Sequence, residues 1–313
     1  MHIVQAVHWR LPVAGYGGAQ RAAMWLAQGL AELGHDVTVV GAPGTALPGL
    51  KCVSYGAEQP YAPAFDVRRL VSGPIDVLHF HGPPRSTPTI PYVWTLQGNM
   101  GPGGRADAHT ICVSENHAQR HGTHSFVHNG VRLEEYRYEP RKGDYDLFMA
   151  RLHSVKGWRT AAAIARRCKL KLLLAGGWRP SLSRYVRFVG EVSGDRKLDL
   201  LAAARCLWMP VAWDDPCPVN VLEAMACGTP VIGTPRGSLP ELIGHDGGGI
   251  GATEDELIAL RQRLAQWDPA AVRKRAERFF SHLRMARDYV RMYEGLLTSG
   301  TLPAGRRPDA NAE

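Results

Sequence analysis

The 313-residue chain contains no run of eighteen or more apolar residues, so no helix is expected to span a bilayer. Its start, MHIVQAVHW, has no basic n-region and no long apolar core, and no signal peptide is expected. Six cysteines (Cys52, Cys112, Cys168, Cys206, Cys217 and Cys227) stand far apart without a CxxC pair. That pattern argues against a zinc site or a disulfide framework and for reduced thiols in a cytoplasmic protein. Metal-ligand groupings are lacking as well. His121, His124 and His128 lie in a Gly/Ser/Asn-containing stretch without acidic companions and read as a surface loop. His79 and His81 share one face of a strand, but no third ligand is in view, so no metal is expected. There is no internal repeat and no low-complexity block.

What remains is an ordinary globular composition, 45% apolar and 21% charged, in a chain long enough for two domains. The net charge of +8 suits phosphate-rich or acidic partners, an anionic membrane surface or nucleic acid, and equally suits a basic surface with no partner.

The first forty residues read as strand, glycine-rich loop, helix and strand. HIVQAVH is a short apolar run and PVAGYGGAQ a loop. AQRAAMWLAQGLAELG places Ala19, Ala22, Leu26, Leu30 and Leu33 at helical spacing before Gly34. DVTVVGAP then requires a parallel βαβ crossover. Further strands are expected at DVLHFHG (from Asp76), YVWTLQG (from Tyr92) and HTICVS (from His109). The charged stretch YEPRKGDYD, 138–146, reads as a linker. Beyond it the alternation restarts with strand LFMAR, helix GWRTAAAIARRC, strands LKLLLAGG and VRFVGEV, helix RKLDLLAAA, strand RCLWMPV, helix NVLEAMACG and strand PVIGT. The last third is helical, over 255–267 and then about 270–297, and residues 299–313 read as a frayed tail. The simplest architecture is α/β, with two successive doubly wound Rossmann-like units.

Chemistry concentrates in DDPCPVNVLEAMACGTPVIGTPRGSLPELI, 214–243. Pro216 and Pro218 suit the start of a helix, because proline fixes φ and lacks an amide that would be orphaned there. The amides of Val219, Asn220 and Val221 then point to the helix mouth, where the dipole favours a phosphate. Glu223, one turn inside, is placed to accept from vicinal hydroxyls such as those of a ribose, and Asp215 to reach a sugar beyond the phosphates.

This segment resembles the signature of the retaining GT-B glycosyltransferases of family 4 (glycosyl transferases group 1): an acid, seven residues, a glutamate, a run like EAMACGTPVI and a GxxPE turn. GGAQR (17–21) resembles the family's glycine loop, DVLHFHG its Asp-Val-x-His-x-His strand, and HNGV (128–131) its Asn-Gly-Val turn. ARLHSVKG (150–157) resembles its Gly-Arg…Lys-Gly stretch, and RMARDYVRMYEGLL its final helix. The resemblance reaches to about residue 297. It implies a GT-B fold whose two domains face a cleft: an acceptor-side domain over 1–140, a nucleotide-sugar-binding domain over 141–283, a helix over 284–298 crossing back to the first domain, and a flexible tail. It implies a metal-independent, retaining transfer from a nucleotide diphosphate sugar to the hydroxyl of a sugar, lipid-linked or natural-product acceptor, with no cofactor. Arg151 and Lys156 become the diphosphate clamp, Asp215 orients the sugar, and Gly17 and Gly18 admit the donor. Gln20 and His81 become acceptor contacts. The implied location is the cytoplasm, including the inner membrane face. Three departures stand out: Asp215 replaces the usual glutamate, Pro218 the common glycine, and Gln97 the histidine that many members hold near the reacting carbon. Two other readings are open from the sequence, a sugar-nucleotide epimerase of the same fold and a non-catalytic module binding a polyanion.

Overall fold

Short β-branched and apolar runs flanked by helical stretches produce parallel strands whose two faces are both covered. The computed structural model describes all residues except 57, 58, 61, 63, 64 and 309–313. The chain divides into two compact units, residues 1–130 with 282–313 and residues 131–281. The division falls at 130/131 rather than at 140/141, because the segment after Gly130 bonds within the second unit. There the Val131 amide donates to the Phe280 carbonyl at 2.8 Å, and the Tyr136 hydroxyl donates to Glu223 at 2.8 Å.

In unit 1, β1 (His2–Ala6), β2 (Asp36–Gly41), β3 (Lys51–Ser54), β4 (Val77–Phe80), β5 (Tyr92–Leu96) and β6 (Thr110–Cys112) form a parallel sheet ordered β3-β2-β1-β4-β5-β6. Helix α1 (Gly18–Glu32) makes the first crossover and buries Ala22, Trp25, Leu26 and Leu30, leaving Ala19 only half-buried. Helix α2 (Glu115–Arg120) starts at Ser114, whose hydroxyl accepts from the His117 amide at 3.2 Å. Neither β3 nor α2 is expected from the sequence. KCVS is a half-exposed edge strand with little apolar signal, and α2 is short and polar.

Unit 2 repeats the plan. Strands β7 (Asp146–Met149), β8 (Leu172–Ala175), β9 (Val186–Gly190), β10 (Leu207–Met209), β11 (Val231–Gly233) and β12 (Gly248–Ile250) pair in parallel in the order β12-β11-β10-β7-β8-β9. Helices α3 (Trp158–Arg167), α4 (Gly194–Ala203), α5 (Val219–Ala226), α6 (Leu239–Ile243), α7 (Glu254–Gln262) and α8 (Pro269–Phe279) flank it. β12 escapes sequence reading because GGI lacks β-branched bulk, and Gly248 packs where a Cβ would lie 1.9 Å from the Val231 carbonyl oxygen.

The helix expected over 270–297 is two helices, α8 and α9 (His282–Ser299), broken at Phe280–Ser281. α9 belongs to unit 1 and is pinned there by a buried polar chain. The His79 ring nitrogens meet the Tyr293 hydroxyl and the Thr95 hydroxyl, each at 2.7 Å, and Thr95 meets the Tyr289 hydroxyl at 2.7 Å. With both ring nitrogens engaged, His79 serves as a strut and not as half of a metal pair. Among the described residues no cluster of three or more His, Cys, Asp or Glu could hold a metal, and no helix is long and apolar enough to cross a membrane.

Residues 300–308 are not frayed. The Gly305 amide donates to the His124 carbonyl, the Ser125 hydroxyl donates to the Pro303 carbonyl at 3.0 Å, and Arg307 pairs with Glu115 at 2.7 Å. The rest of the expected tail lies outside the described residues.

Candidate active site

Both sheets reverse strand order at their middle, between β1 and β4 and between β7 and β10. In an open doubly wound sheet, ligands bind at the carboxyl ends of the strands flanking that reversal. In unit 2 the loop after β7 carries Arg151 and Lys156, and the segment after β10 carries Asp215 and leads into α5. The implied clamp and the two acids thus come from the two strands where the topology puts a crevice.

Lys156 is held by its backbone. The Ala212 amide donates to the Val155 carbonyl at 2.8 Å, tying the two loops together. Gly157 adopts φ 80° directly over the end of β10, where a Cβ would lie 1.8 Å from the Pro210 carbonyl oxygen. Only glycine fits both constraints. The Lys156 ammonium lies 2.5 Å from Asp215 Oδ2 and 4.4 Å from the centre of the Trp213 ring. Asp215 is 5% exposed, and its backbone is clasped by the GSLPE turn: both the amide and the hydroxyl of Ser238 donate to its carbonyl at 3.0 Å. Gly237, at φ 55°, makes this approach possible, since a Cβ there would meet the Asp215 backbone at 2.4 Å. The carboxylate can offer its oxygens to hydroxyls. Arg151, in the loop that follows the carboxyl end of β7, is exposed.

At the start of α5 the amide of Val221 donates to the Pro218 carbonyl at 3.1 Å, so it does not serve the helix mouth as expected from the sequence. The amides of Val219 and Asn220 have no acceptor among the described residues. The Asn220 side chain donates to the Met149 carbonyl at 2.7 Å, stitching α5 to the end of β7.

Glu223 is 2% exposed, and its Oε1 accepts from both Lys197, at 2.5 Å, and Tyr136, at 2.8 Å. These partners explain how a glutamate sits inside an apolar helix, since a buried charge is tolerated when paired and hydrogen-bonded. Lys197, Tyr136 and Trp213 are absent from the sequence-derived set. Lys197 stands in an amphipathic helical pattern that reads as solvent-facing, and no linear spacing connects any of the three to the acids they serve.

In unit 1, Gly17 and Gly18 form the turn into α1, and Gln20 folds back so that a Cβ on Gly17 would lie 2.7 Å from its Oε1. His81, expected as an open acceptor contact, is 4% exposed. It stacks on His79 with ring centres 4.5 Å apart and meets the Gln5 side-chain amide at 3.1 Å. Burial, with a smaller contribution from the charge of His8, pushes its pKa down to about 3. It is therefore a neutral imidazole at any working pH. Gln97 is half-buried at the end of β5, where its carbonyl accepts from the Asn129 side chain at 3.5 Å. That joins it to the HNGV turn. His121 and His128, read from sequence as surface loop, are instead buried, and only His124 is exposed.

Four similarities bear on this geometry. Residues 144–267 match the model of the glycosyl transferases group 1. Over 119 positions the chain is 33% identical to an uncharacterized glycosyltransferase, MJ1607, of Methanocaldococcus jannaschii. That match covers 33% of this chain and 30% of the relative, so it spans under a third of the relative's length. Among solved structures, AviGT4, a glycosyltransferase involved in avilamycin A biosynthesis, superposes with a TM-score of 0.77 at 29% identity, covering 96% of this chain and 99% of that one. HepE of Anabaena, solved in complex with UDP, gives 0.70 at 14% identity, covering 95% of this chain and all (100%) of that one. The fold is two parallel-sheet Rossmann-like units, and its structural neighbours are GT-B glycosyltransferases.

Proposed function

We propose that the protein transfers a sugar from a nucleotide diphosphate sugar to an acceptor hydroxyl with retention of anomeric configuration and without a metal. The observation that carries this reading is the Lys156–Asp215 pair at the mouth of α5, with Glu223 one turn inside. Together they offer a cation and two amides for a diphosphate, a carboxylate for sugar hydroxyls, and a second carboxylate for a ribose. The match of residues 144–267 to the glycosyl transferases group 1 and the likeness to AviGT4 support the same reading.

In the proposed reaction the bond between the anomeric carbon and the β-phosphate oxygen breaks, and its electron pair leaves with the diphosphate. Lys156, Arg151 and the Val219 and Asn220 amides stabilise the charge that grows there, the largest effect a site of this kind supplies. The acceptor oxygen forms its bond on the face the diphosphate leaves, and its proton passes to the departing phosphate oxygen. Asp215 orients the sugar through its hydroxyls.

A panel of nucleotide diphosphate sugars, with products followed by NMR, tests this directly. A glycoside with the donor's anomeric configuration is expected, at a rate unchanged by EDTA because the charge donors are side chains and amides. An inverted product would refute retention, and an isomerised donor without transfer would mark an epimerase.

Glu223→Gln should weaken UDP binding by about tenfold with kcat at saturating donor little changed, since a ribose contact is present in ground and transition states alike. Because the same carboxylate holds Lys197, calorimetric titration belongs on variant shown to be folded by its melting curve. Equal UDP affinity in wild type and variant would remove the ribose role. For Gln97→Ala the expected loss is in kcat, more than in donor affinity, if the amide orients the reacting sugar. A kcat within about twofold of wild type, under ~0.4 kcal/mol of barrier, would make its bond to Asn129 its whole role.

A further inference from the structure

The loop between β8 and β9 carries the two large apolar side chains most exposed to solvent among the described residues, Trp178 at 71% and Leu182 at 108%. They stand four positions apart in GGWRPSLSRY, 176–185. Around them the chain carries charge of one sign: residues 147–190 include ten lysines and arginines and no aspartate or glutamate. Acids from elsewhere reach only part of this stretch. Asp215 holds Lys156, Asp144 holds Lys171 and Asp255 holds Arg167. Arg159, Arg179 and Arg184 are exposed and pair with no acid among the described residues.

The root of the loop is fixed. The Gly176 amide donates to the Gly190 carbonyl at 2.9 Å, and a Cβ on Gly176, at φ 115°, would lie 2.1 Å from the Ala150 carbonyl oxygen. The Arg159 and Arg179 guanidiniums both lie over the Trp158 ring, 4.7 Å and 5.4 Å from its centre, so the loop and the first turn of α3 make one surface. Arg184 lies 4.9 Å from the centre of the Tyr185 ring and donates to its hydroxyl at 2.6 Å. Arg159 stands in a first turn that holds no acid, where the helix dipole disfavours a cation. In water none of this helps the fold: two guanidiniums on one ring repel each other, and Trp178 and Leu182 bury little. Against an anionic bilayer each feature becomes favourable. An indole suits the headgroup level, a leucine the acyl boundary, and guanidiniums the lipid phosphates. A nucleic acid would match the charge and stack on Trp178, but it would leave Leu182 in water.

We propose that this surface of unit 2 docks on an anionic lipid bilayer, with Trp178 and Leu182 entering the interface and Arg159, Arg179 and Arg184 meeting lipid phosphates. The loop starts beside Arg151, because Gly176 packs on the Ala150 carbonyl, so docking brings the proposed donor groups of unit 2 toward the bilayer. That the docked chain then serves a lipid-linked acceptor rests on the transferase reading. The docking itself does not.

Sedimentation of the full chain with vesicles of phosphatidylcholine alone, and of an equal mixture with phosphatidylglycerol, tests the proposal. Binding is expected on the mixed vesicles only and should weaken as salt is raised, because the attraction is screened. Arg159→Gln/Arg179→Gln and, separately, Trp178→Ser/Leu182→Ser should each weaken it by about tenfold or more. Melting curves of both variants should match that of wild type, since all four side chains are exposed. No binding to the mixed vesicles, or binding undiminished in both variants, would overturn the docking surface. Loss in the arginine variant alone would overturn the entry of Trp178 and Leu182 into the interface. Tighter binding to a single-stranded oligonucleotide than to the mixed vesicles, lost in the same variants, would assign the surface to nucleic acid and overturn the proposal. Vesicle binding by a chain that transfers no sugar from any donor would support the docking and count against the transferase reading alone.

Discussion

Lys156→Ala is expected to lower turnover by on the order of 10²-fold or more at saturating donor, about 2.7 kcal/mol of transition-state stabilisation. The reasoning is electrostatic. In the proposed reaction negative charge accumulates on the leaving diphosphate, and Lys156 is the cation that the tied loops and Gly157 hold against Asp215. The variant also leaves Asp215, 5% exposed, without its ammonium at 2.5 Å, so some loss of stability is expected too. The double variant Lys156→Ala/Asp215→Asn separates the two effects, because it removes the stranded charge and restores stability without restoring turnover. Steady-state kinetics on both variants, with melting curves, decides the matter. Turnover of Lys156→Ala within about threefold of wild type would end the clamp assignment.

The largest expected effect on stability lies at the opposite end of the same strand. Asp146, at the start of β7, is 1% exposed and accepts from Arg261 Nε at 2.7 Å, Arg261 NH2 at 2.8 Å and the Trp208 indole at 3.1 Å. Asp146→Ala strands a largely buried guanidinium and an indole N–H, and should cost about 3–5 kcal/mol, as breaking a buried pair does. That is a large part of a typical total of about 5–15 kcal/mol. The urea midpoint should fall accordingly, and Asp146→Ala/Arg261→Met should recover part of the loss. Because Asp146 is at the amino end of β7 and Lys156 follows its carboxyl end, turnover per folded molecule should be unchanged. A midpoint shift worth less than about 1 kcal/mol would show that water replaces the carboxylate.

The alternation of apolar runs with helical periodicity was enough to place ten of the twelve strands found among the described residues and the two doubly wound units, because buried parallel strands and amphipathic crossover helices both leave linear patterns. Elements held together by context rather than by their own bulk were not legible. The edge strand KCVS, the glycine strand β12 and the break between α8 and α9 are of this kind. The same distinction runs through the candidate site. Lys156, Asp215 and Glu223 stand out as residue types at spacings that a helix mouth and its flanking loops can use. Only the tertiary structure brought Lys197 and Tyr136 to Glu223, laid Lys156 over Trp213, withdrew the Val221 amide from the helix mouth and buried His81 against His79. It also buried His121 and His128, which the sequence reads as loop residues. Hydrogen bonds and ion pairs join residues far apart in the chain, so linear spacing carries no record of them. Local periodicity determined the strands, helices and strand–loop positions, and long-range pairing decided which side chains at those positions are partnered and which remain to meet a ligand.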